Sequence, residues 1–166
     1  MNEIDIKKMT IDAVDLWLNR WMILTAGTQD DYNMMTVAWG SIGCMWFKPF
    51  AQVVVRPQRY TREFMEKYDT FTLCAFPDKH TKDLQTMGSV SGRNTDKLTQ
   101  TSLTIKSSSK VDAPSYNEAN FILECRKMYF QDMDPENFVD EEINDYYPEK
   151  DYHRIYFGEI LAAYQS

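Results

Sequence analysis

Cationic and aromatic residues are concentrated in one acid-free window of an otherwise acidic chain. Residues 33–62 contain no Asp or Glu, although the whole sequence carries a net charge of −7. Arginine, lysine and fixed N–H donors bind phosphate, whereas flat apolar walls bind a planar heterocycle. The window therefore predicts a ligand with a flat ring and an anionic tail. The alternative is that the arginines are solvated surface charges and the tryptophans belong to the buried core. Its cations and large apolar side chains are Lys48, Arg56, Arg59, Arg62, Trp39, Trp46, Met34, Met35 and Met45.

Three widely spaced cysteines, Cys44, Cys74 and Cys125, could supply thiol chemistry, but the sequence contains no CxxC pair. An odd number without close spacing argues against a disulfide framework or a zinc site and is typical of reduced thiols in the cytoplasm. We expect Cys74 and Cys125 to be buried in strands. Cys44 has no general base beside it in the sequence, so no catalytic role is assigned to it. We expect no metal site and a cytoplasmic location.

Composition and motif content argue against several classes of partner. A net charge of −7 disfavours nucleic acid, because phosphate contacts dominate that kind of binding. No window is apolar enough for a membrane span, and MNEIDIKKMT at the start lacks the apolar stretch of a signal peptide. Neither GxGxxG nor a P-loop is present. Residues 132–151 carry nine acids against one lysine, which predicts a solvated surface segment.

The elements that position the window are short strands. β-branched and aromatic runs, ended by Gly, Pro or polar turns, predict six of them. Their spacing favours antiparallel hairpins over βαβ units, so we expect a mainly β chain, an antiparallel barrel with short peripheral helices, in one domain over residues 1–166. The predicted strands are Trp21–Ala26, Met34–Gly40, Ala51–Val55, Thr70–Phe76, Asn120–Phe130 and Arg154–Ala162.

Capping residues and apolar spacing predict three short helices between these strands. Thr10 is read as the N-cap of the first helix, and Thr61 as the N-cap of a second that continues to Tyr68. Residues 79–88 form the third and end at a glycine. Asp134 and Pro135 begin a further helical turn. Residues 41–49 are expected to be a loop, because Gly43 and Pro49 punctuate them.

Six segments in this order resemble the flavin reductase-like family, whose members adopt the FMN-binding split barrel and include flavoredoxin-type proteins. Each segment alone is a weak signal, but together they cover most of the chain. The resemblance implies a Greek-key-like split β-barrel. The matching segments are Trp21–Gly27, Asn33–Gly43, Val55–Phe64, Ser91–Lys97, Glu124–Phe130 and Asp151–Ile160.

The resemblance implies which residues contact FMN. Five consecutive residues would run along the isoalloxazine ring: Met35, Thr36, Val37, Ala38 and Trp39. Two further groups would bind the phosphate, one at a helix start and one in a second loop: Arg56, Arg59, Tyr60, Thr61; and Ser91, Gly92, Lys97. From the residues alone, an ordinary strand threonine at position 36 and a plain surface turn at 91–97 are equally good readings. Ala38 replaces a serine common in the family, which removes one side-chain hydrogen bond.

His153 matches a histidine near the last strand of many family members, and the resemblance implies that it faces the nicotinamide. Read alone, a single histidine is more often structural. The implied function is an FMN-dependent NAD(P)H:flavin oxidoreductase that passes a hydride from nicotinamide to FMN and forms a homodimer. Such chemistry needs no protein nucleophile, because the cofactor supplies it. The alternative is an FMN-binding electron-transfer protein with a redox protein partner and no NAD(P)H turnover; a flavin-free relative is a weaker third reading.

Overall fold

A computed structural model describes all of residues 1–166. Ten strands and three short α-helices follow one another along the chain. The strands are β1 (Asn2–Glu3), β2 (Met22–Gly27), β3 (Tyr32–Val37), β4 (Gly40–Met45), β5 (Lys48–Val55), β6 (Thr70–Ala75), β7 (Ile105–Lys106), β8 (Ser115–Tyr116), β9 (Phe121–Asp132) and β10 (Arg154–Gln165). The helices are α1 (Ala13–Asp15), which continues as a π-helical turn over Leu16–Arg20, α2 (Tyr60–Lys67) and α3 (Thr81–Ser89).

One antiparallel sheet contains eight of the strands, in the order β3-β2-β6-β9-β10-β5-β4 with β1 added beside β10. The strands at the two ends of this order, β3 and β4, are consecutive in the chain and separated only by Ala38 and Trp39. The two edges of the sheet must therefore meet where β3 ends and β4 begins. The result is a barrel that is not hydrogen-bonded along this seam, which is the predicted split barrel.

Strand β2 is buried along its whole length because both of its faces are covered. Met22, Leu24 and Ala26 belong to the barrel core, whereas Ile23 belongs to a second cluster with Leu84 of α3. Alternate side chains of a strand point to opposite faces, so a strand between two cores reads as a continuous apolar run. The two cores together hold helices α2 and α3 against β2 and β3.

All six predicted strands are confirmed, with ends shifted by a few residues. The predicted loop over 41–49 is wrong, because these residues form a hairpin of β4 and β5. Its two turn residues, Trp46 and Phe47, have φ values of 54° and 58°. This left-handed conformation suits a two-residue hairpin, but Asn and Gly are its usual occupants. The turn therefore carries no recognisable sequence signal.

Both predicted N-caps are wrong by two residues. Asp12 caps α1 and accepts a hydrogen bond from the Asp15 N–H. Arg59 occupies the N-cap position of α2, so Thr61 lies inside the helix, where it is buried. The third predicted helix corresponds to a 3₁₀ turn at Asp78–His80 followed by α3. Cys74 and Cys125 are buried in β6 and β9 as expected. None of the helices has the length and apolar content required to cross a membrane.

Candidate functional site

A cleft of about 170 Å³ opens at the barrel seam. The main-chain N–H and C=O groups of Ala38 and Trp39 make no hydrogen bond within the chain, because no strand pairs with them. Five of the nine residues that line the cleft are hydrophobic, and these unpaired polar groups lie among them. We call this cleft the seam cleft; its lining residues are Met35, Thr36, Val37, Ala38, Trp39, Val54, Arg56, Arg59 and His153.

A second cleft of about 290 Å³ lies at the N-terminus of α2. Met35 and Arg59 line both clefts, so the two adjoin one another. Each of the thirteen residues predicted for the site therefore lines one or both of these adjoining clefts, and their roles toward a ligand stay predictions. We call the second cleft the helix cleft; its lining residues are Met35, Gln58, Arg59, Tyr60, Thr61, Ser89, Val90, Ser91, Gly92 and Lys97.

Free main-chain donors line the helix cleft, and such donors favour an anion. The N–H groups of Tyr60, Ser91 and Gly92 donate to no acceptor within the chain. Tyr60 is the first residue of α2, where unpaired N–H groups and the helix dipole favour negative charge. Arg59 is exposed at the same place, and its guanidinium donates to the Gly88 carbonyl at 3.0 Å.

Lys97 is buried at the back of the helix cleft, with 5% of its surface exposed. Its ammonium donates to the main-chain carbonyls of Met34 at 2.7 Å and Met87 at 3.0 Å. Burial, together with the charge of Arg59, lowers the pKa of Lys97 to about 8. An ammonium has three donors. Two of them tie β3 to α3, which leaves one for a ligand.

Asn33 is a site residue that the sequence did not indicate. Its side-chain oxygen accepts from the Thr61 hydroxyl at 2.7 Å and from the Thr61 main-chain N–H at 3.2 Å. A Cβ on Gly92 would lie 2.1 Å from the same carboxamide. Glycine is therefore required at position 92 so that the 91–97 loop can approach Asn33. This requirement does not depend on a ligand. No local feature of the sequence distinguishes this asparagine, because its role depends on contacts with Thr61 and Gly92.

Thr36 is more constrained than the resemblance implied. Its hydroxyl donates to the Leu84 carbonyl of α3 at 2.5 Å, so this proton is not available inside the seam cleft. Only the oxygen lone pairs of Thr36 can take part in binding there. The side chain thus combines the predicted wall position with the structural role of an ordinary strand threonine.

Arg56 does not line the helix cleft, contrary to the expectation that it lies with Tyr60 and Thr61. Its guanidinium forms an ion pair with Asp151 at 2.6 Å and donates to the Tyr146 carbonyl at 2.8 Å. Hydrogen bonds from Gln58 and Arg56 hold the pKa of Asp151 below its ordinary value. The charge of Arg56 at the border of the seam cleft is therefore already balanced by Asp151.

His153 is buried in the wall of the seam cleft, with 7% of its surface exposed. Its ring centroid lies 5.2 Å from that of Trp39, and its Nδ1 lies 2.7 Å from the Tyr147 hydroxyl. Burial, reinforced by the charge of Arg56, lowers the pKa of His153 to about 4. The imidazole is therefore neutral at neutral pH, and its Nε2 has no hydrogen-bond partner within the chain.

The acidic segment 132–151 is not only a solvated surface, because its aromatic side chains cover part of the site. Tyr147 is buried against Phe138 and Tyr152. Tyr146 stands edge-on to Trp39, with ring centroids 5.5 Å apart. The aromatic residues of the segment could have indicated this packing, but its many acids favoured the prediction of a solvated surface. No group of three or more His, Cys, Asp or Glu residues is arranged to hold a metal ion.

The two adjoining clefts fit a ligand with a flat ring and an anionic tail. Apolar walls and unpaired main-chain groups belong to the seam cleft, and free N–H donors with Arg59 and Lys97 belong to the helix cleft. This division matches the donors and walls that an FMN molecule requires.

Comparison with known proteins gives the same family. A model described as a flavin reductase like domain matches residues 19–166. An uncharacterized protein of Pyrococcus abyssi is 27% identical over 150 residues, which cover 89% of this chain and 74% of that protein. The FMN-binding domain of a flavin reductases-like enzyme from Shewanella baltica has a TM-score of 0.70 at 19% identity, over 98% of this chain and 75% of the other.

Two further solved structures have the same fold. Flavoredoxin from Methanosarcina acetivorans has a TM-score of 0.69 at 22% identity, over 96% of this chain and 75% of the other. An NADH:FAD oxidoreductase of Streptomyces globisporus, in complex with NAD and FAD fragments, has a TM-score of 0.68 at 16% identity, over 89% and 74%. Because the family model spans most of its sequence, the chain belongs to the flavin reductase-like family.

Proposed function

We propose that the chain binds one FMN across the seam and helix clefts and acts as an FMN-dependent NAD(P)H:flavin oxidoreductase. The observation that carries the proposal is that the seam cleft, which has hydrophobic side chains and unpaired main-chain groups in its wall, adjoins a cationic cleft at a helix N-terminus. In this arrangement Arg59, Lys97 and the free N–H groups at Tyr60, Ser91 and Gly92 hold the phosphate. The main chain of Ala38 and Trp39 contacts the polar edge of the ring.

The chain's own residues position the reactants. Bound FMN supplies a ring that accepts a hydride from reduced nicotinamide, so the protein needs no nucleophile of its own. Trp39 is 43% exposed beside the buried His153, so the seam cleft has a flat wall that solutes can reach. A nicotinamide needs such an open approach, and His153 supplies a neutral polar group at its inner end. The relation to an NADH:FAD oxidoreductase supports the choice of donor.

The proposed function is tested by an anaerobic reduction. The purified chain is mixed with FMN, the flavin spectrum is recorded, and NADH or NADPH is then added without oxygen. We expect the bound flavin band to bleach with one of the two donors at a rate above that of free FMN. A bound flavin that only dithionite bleaches would contradict a reductase. An unchanged flavin spectrum and no retained flavin would contradict FMN binding itself.

The second candidate function is electron transfer between FMN and a protein partner. Its supporting observation is the acidic segment 132–151, which lies against the seam cleft through Tyr146 and Tyr147. Such a surface would attract a basic redox protein, and the association of the two proteins would weaken at high salt. The likeness in fold to a flavoredoxin agrees with this reading. Bleaching by dithionite alone in the anaerobic experiment would favour it.

We also propose that the chain forms a homodimer through an aromatic patch at the β4–β5 hairpin. Phe47 at the tip is fully exposed, and Trp46 is 55% exposed and packs edge-on against Tyr129. Tyr129 and Met45 are also exposed and extend the apolar surface. Contiguous exposed apolar patches of this kind on small proteins are usually interaction sites. We further propose a cytoplasmic location, which the odd number and wide spacing of the cysteines favour.

Replacing Trp46 by Asn and Phe47 by Gly is expected to convert the dimer to a monomer. Asn-Gly is the preferred pair for a turn with positive φ at both positions, so the hairpin should keep its shape while the aromatic surface is lost. Sedimentation equilibrium measures the mass. The matched control is Val139→Asn, which removes another exposed apolar side chain outside the patch. A wild-type monomer, or a variant that stays dimeric, would contradict this interface.

A further inference from the structure

Tyr147 is the one side chain that hydrogen-bonds His153. The phenol oxygen lies 2.7 Å from Nδ1, a normal distance for a strong hydrogen bond. Both residues are buried, with 4% of Tyr147 and 7% of His153 exposed. They are six positions apart in the chain, on either side of the turn that leads into β10. The pair therefore connects the acidic segment to the wall of the seam cleft.

Two arrangements of protons are compatible with this distance. In the first, the Tyr147 hydroxyl donates to Nδ1, and the imidazole proton is on Nε2. In the second, Nδ1–H donates to the phenol oxygen, and the hydroxyl turns to Met133 Sδ, which lies 3.4 Å away. A thioether is a weak acceptor, whereas an unprotonated imidazole nitrogen is a good one. The phenol is also the more acidic donor, so the first arrangement is favoured.

Burial and the surrounding charges disfavour a doubly protonated imidazole at neutral pH. The Arg56 guanidinium lies 5.1 Å from the Tyr147 ring centroid and borders the same cleft as His153. The only acid packed there, Asp151, is already paired with Arg56. Burial lowers the pKa of His153 to about 4, in agreement with this geometry. One tautomer of the neutral ring must then be chosen, and Tyr147 is the group in contact with it.

We infer that Tyr147 is a positioning residue that holds His153 in its Nε2–H tautomer, so that His153 presents a hydrogen-bond donor to the seam cleft. The ligand atom facing it must then be an acceptor, such as a carbonyl oxygen of a flavin ring or of a nicotinamide carboxamide. This consequence for catalysis rests on the proposed function. The tautomer itself does not, because it is set by contacts within the chain.

The tautomer is measured on the intact protein, without flavin, by long-range ¹H–¹⁵N correlation NMR at neutral pH. The sequence has only two histidines, so His80→Gln assigns the signals of His153 without ambiguity. We expect a protonated-type Nε2 and an unprotonated-type Nδ1 that accepts a hydrogen bond. A protonated-type Nδ1 in the wild type would overturn the inference. This readout needs no variant of the site.

Tyr147→Phe then tests the positioning role. We expect the His153 signals to shift toward a mixture of tautomers, and flavin reduction by NAD(P)H to fall roughly tenfold, the size of one net hydrogen bond, with FMN affinity unchanged. The control is Tyr152→Phe, since Tyr152 packs on Tyr147 but its hydroxyl makes no hydrogen bond within the chain. An unaltered tautomer in Tyr147→Phe would overturn the inference. A wild-type Nε2–H tautomer without NAD(P)H turnover would instead refute only the proposed function.

Discussion

Lys97→Met is expected to weaken FMN binding by about 10- to 100-fold, because it removes a charge-assisted hydrogen bond worth roughly 1.5–3 kcal/mol. It should also lower the free energy of unfolding by about 1–3 kcal/mol, since the carbonyls of Met34 and Met87 lose their donor. Methionine keeps most of the side-chain volume. Fluorescence titration with FMN and urea denaturation measure the two effects.

The matched control for this change is Lys82→Met. It removes an exposed lysine near the start of α3, at the opposite end of that helix from the Met87 carbonyl that Lys97 contacts. It should leave both quantities within experimental error of the wild type. If Lys97→Met weakened neither FMN binding nor stability, Lys97 would have no part in the site. If stability fell while FMN affinity stayed the same, Lys97 would only tie β3 to α3.

The lowered pKa of Lys97 gives the same residue a pH signature. Its pKa is about 8 in the folded chain, below the ordinary lysine value of about 10.4. Between these two values the unfolded chain binds more protons, so the Lys97 contribution makes the folded state more stable as pH rises. FMN affinity should fall over the same interval, because the ammonium is lost. Both trends should be smaller in Lys97→Met, and identical trends in the two proteins would contradict the assignment.

His153→Ala is expected to lower the rate of flavin reduction by NAD(P)H by about 10- to 100-fold while changing FMN affinity little. The imidazole is the polar group at the inner end of the seam cleft, whereas the phosphate contacts lie in the helix cleft. Loss of a buried hydrogen-bond donor costs roughly 1–3 kcal/mol. Stopped-flow absorbance under anaerobic conditions measures the reduction step, and a separate titration measures binding.

The pH profile of the same reaction distinguishes a neutral donor from a proton-transfer group. Because the pKa of His153 is lowered to about 4, its ring should not titrate between pH 5 and 8. The pH profile of the flavin reduction rate should therefore have the same shape between pH 5 and 8 in the wild type and in His153→Ala. The control variant is His80→Gln, since His80 bonds Asp83 and lines neither cleft. Equal losses of binding and reduction in His153→Ala would make the residue structural.

Local patterns were sufficient to predict the strands, whereas the candidate lining residues followed from the resemblance to the family. Six strands could be predicted because each is a short β-branched or aromatic run with a turn at its end. The lining residues come from three short segments and one histidine, and the seam and helix clefts bring all of them together. The acid-free window was informative because charges in a cleft for an anion must not oppose it.

Contacts between distant residues could not be predicted in the same way. Asn33 holds Thr61 across 28 positions, and nothing in either local sequence indicates the pairing. Arg56 resembled a phosphate ligand because its partner Asp151 is 95 positions away. The β4–β5 hairpin was missed because Trp46 and Phe47 adopt a conformation that usually requires Asn or Gly. In the first two cases a tertiary contact decides the role of a residue whose type permits several, and in the third the local backbone conformation is unusual for the residue types.

The most direct test of the account is a comparison of FMN with riboflavin, which has the same ring and lacks the phosphate. The dissociation constants of both are measured for the wild type, Arg59→Ala and the control Arg126→Ala, an arginine paired with Glu159 outside both clefts. If the helix cleft holds the phosphate, Arg59→Ala should weaken FMN by about tenfold or more and leave riboflavin unchanged. Equal losses for the two ligands, or a larger loss in Arg126→Ala, would contradict one FMN spanning the two clefts.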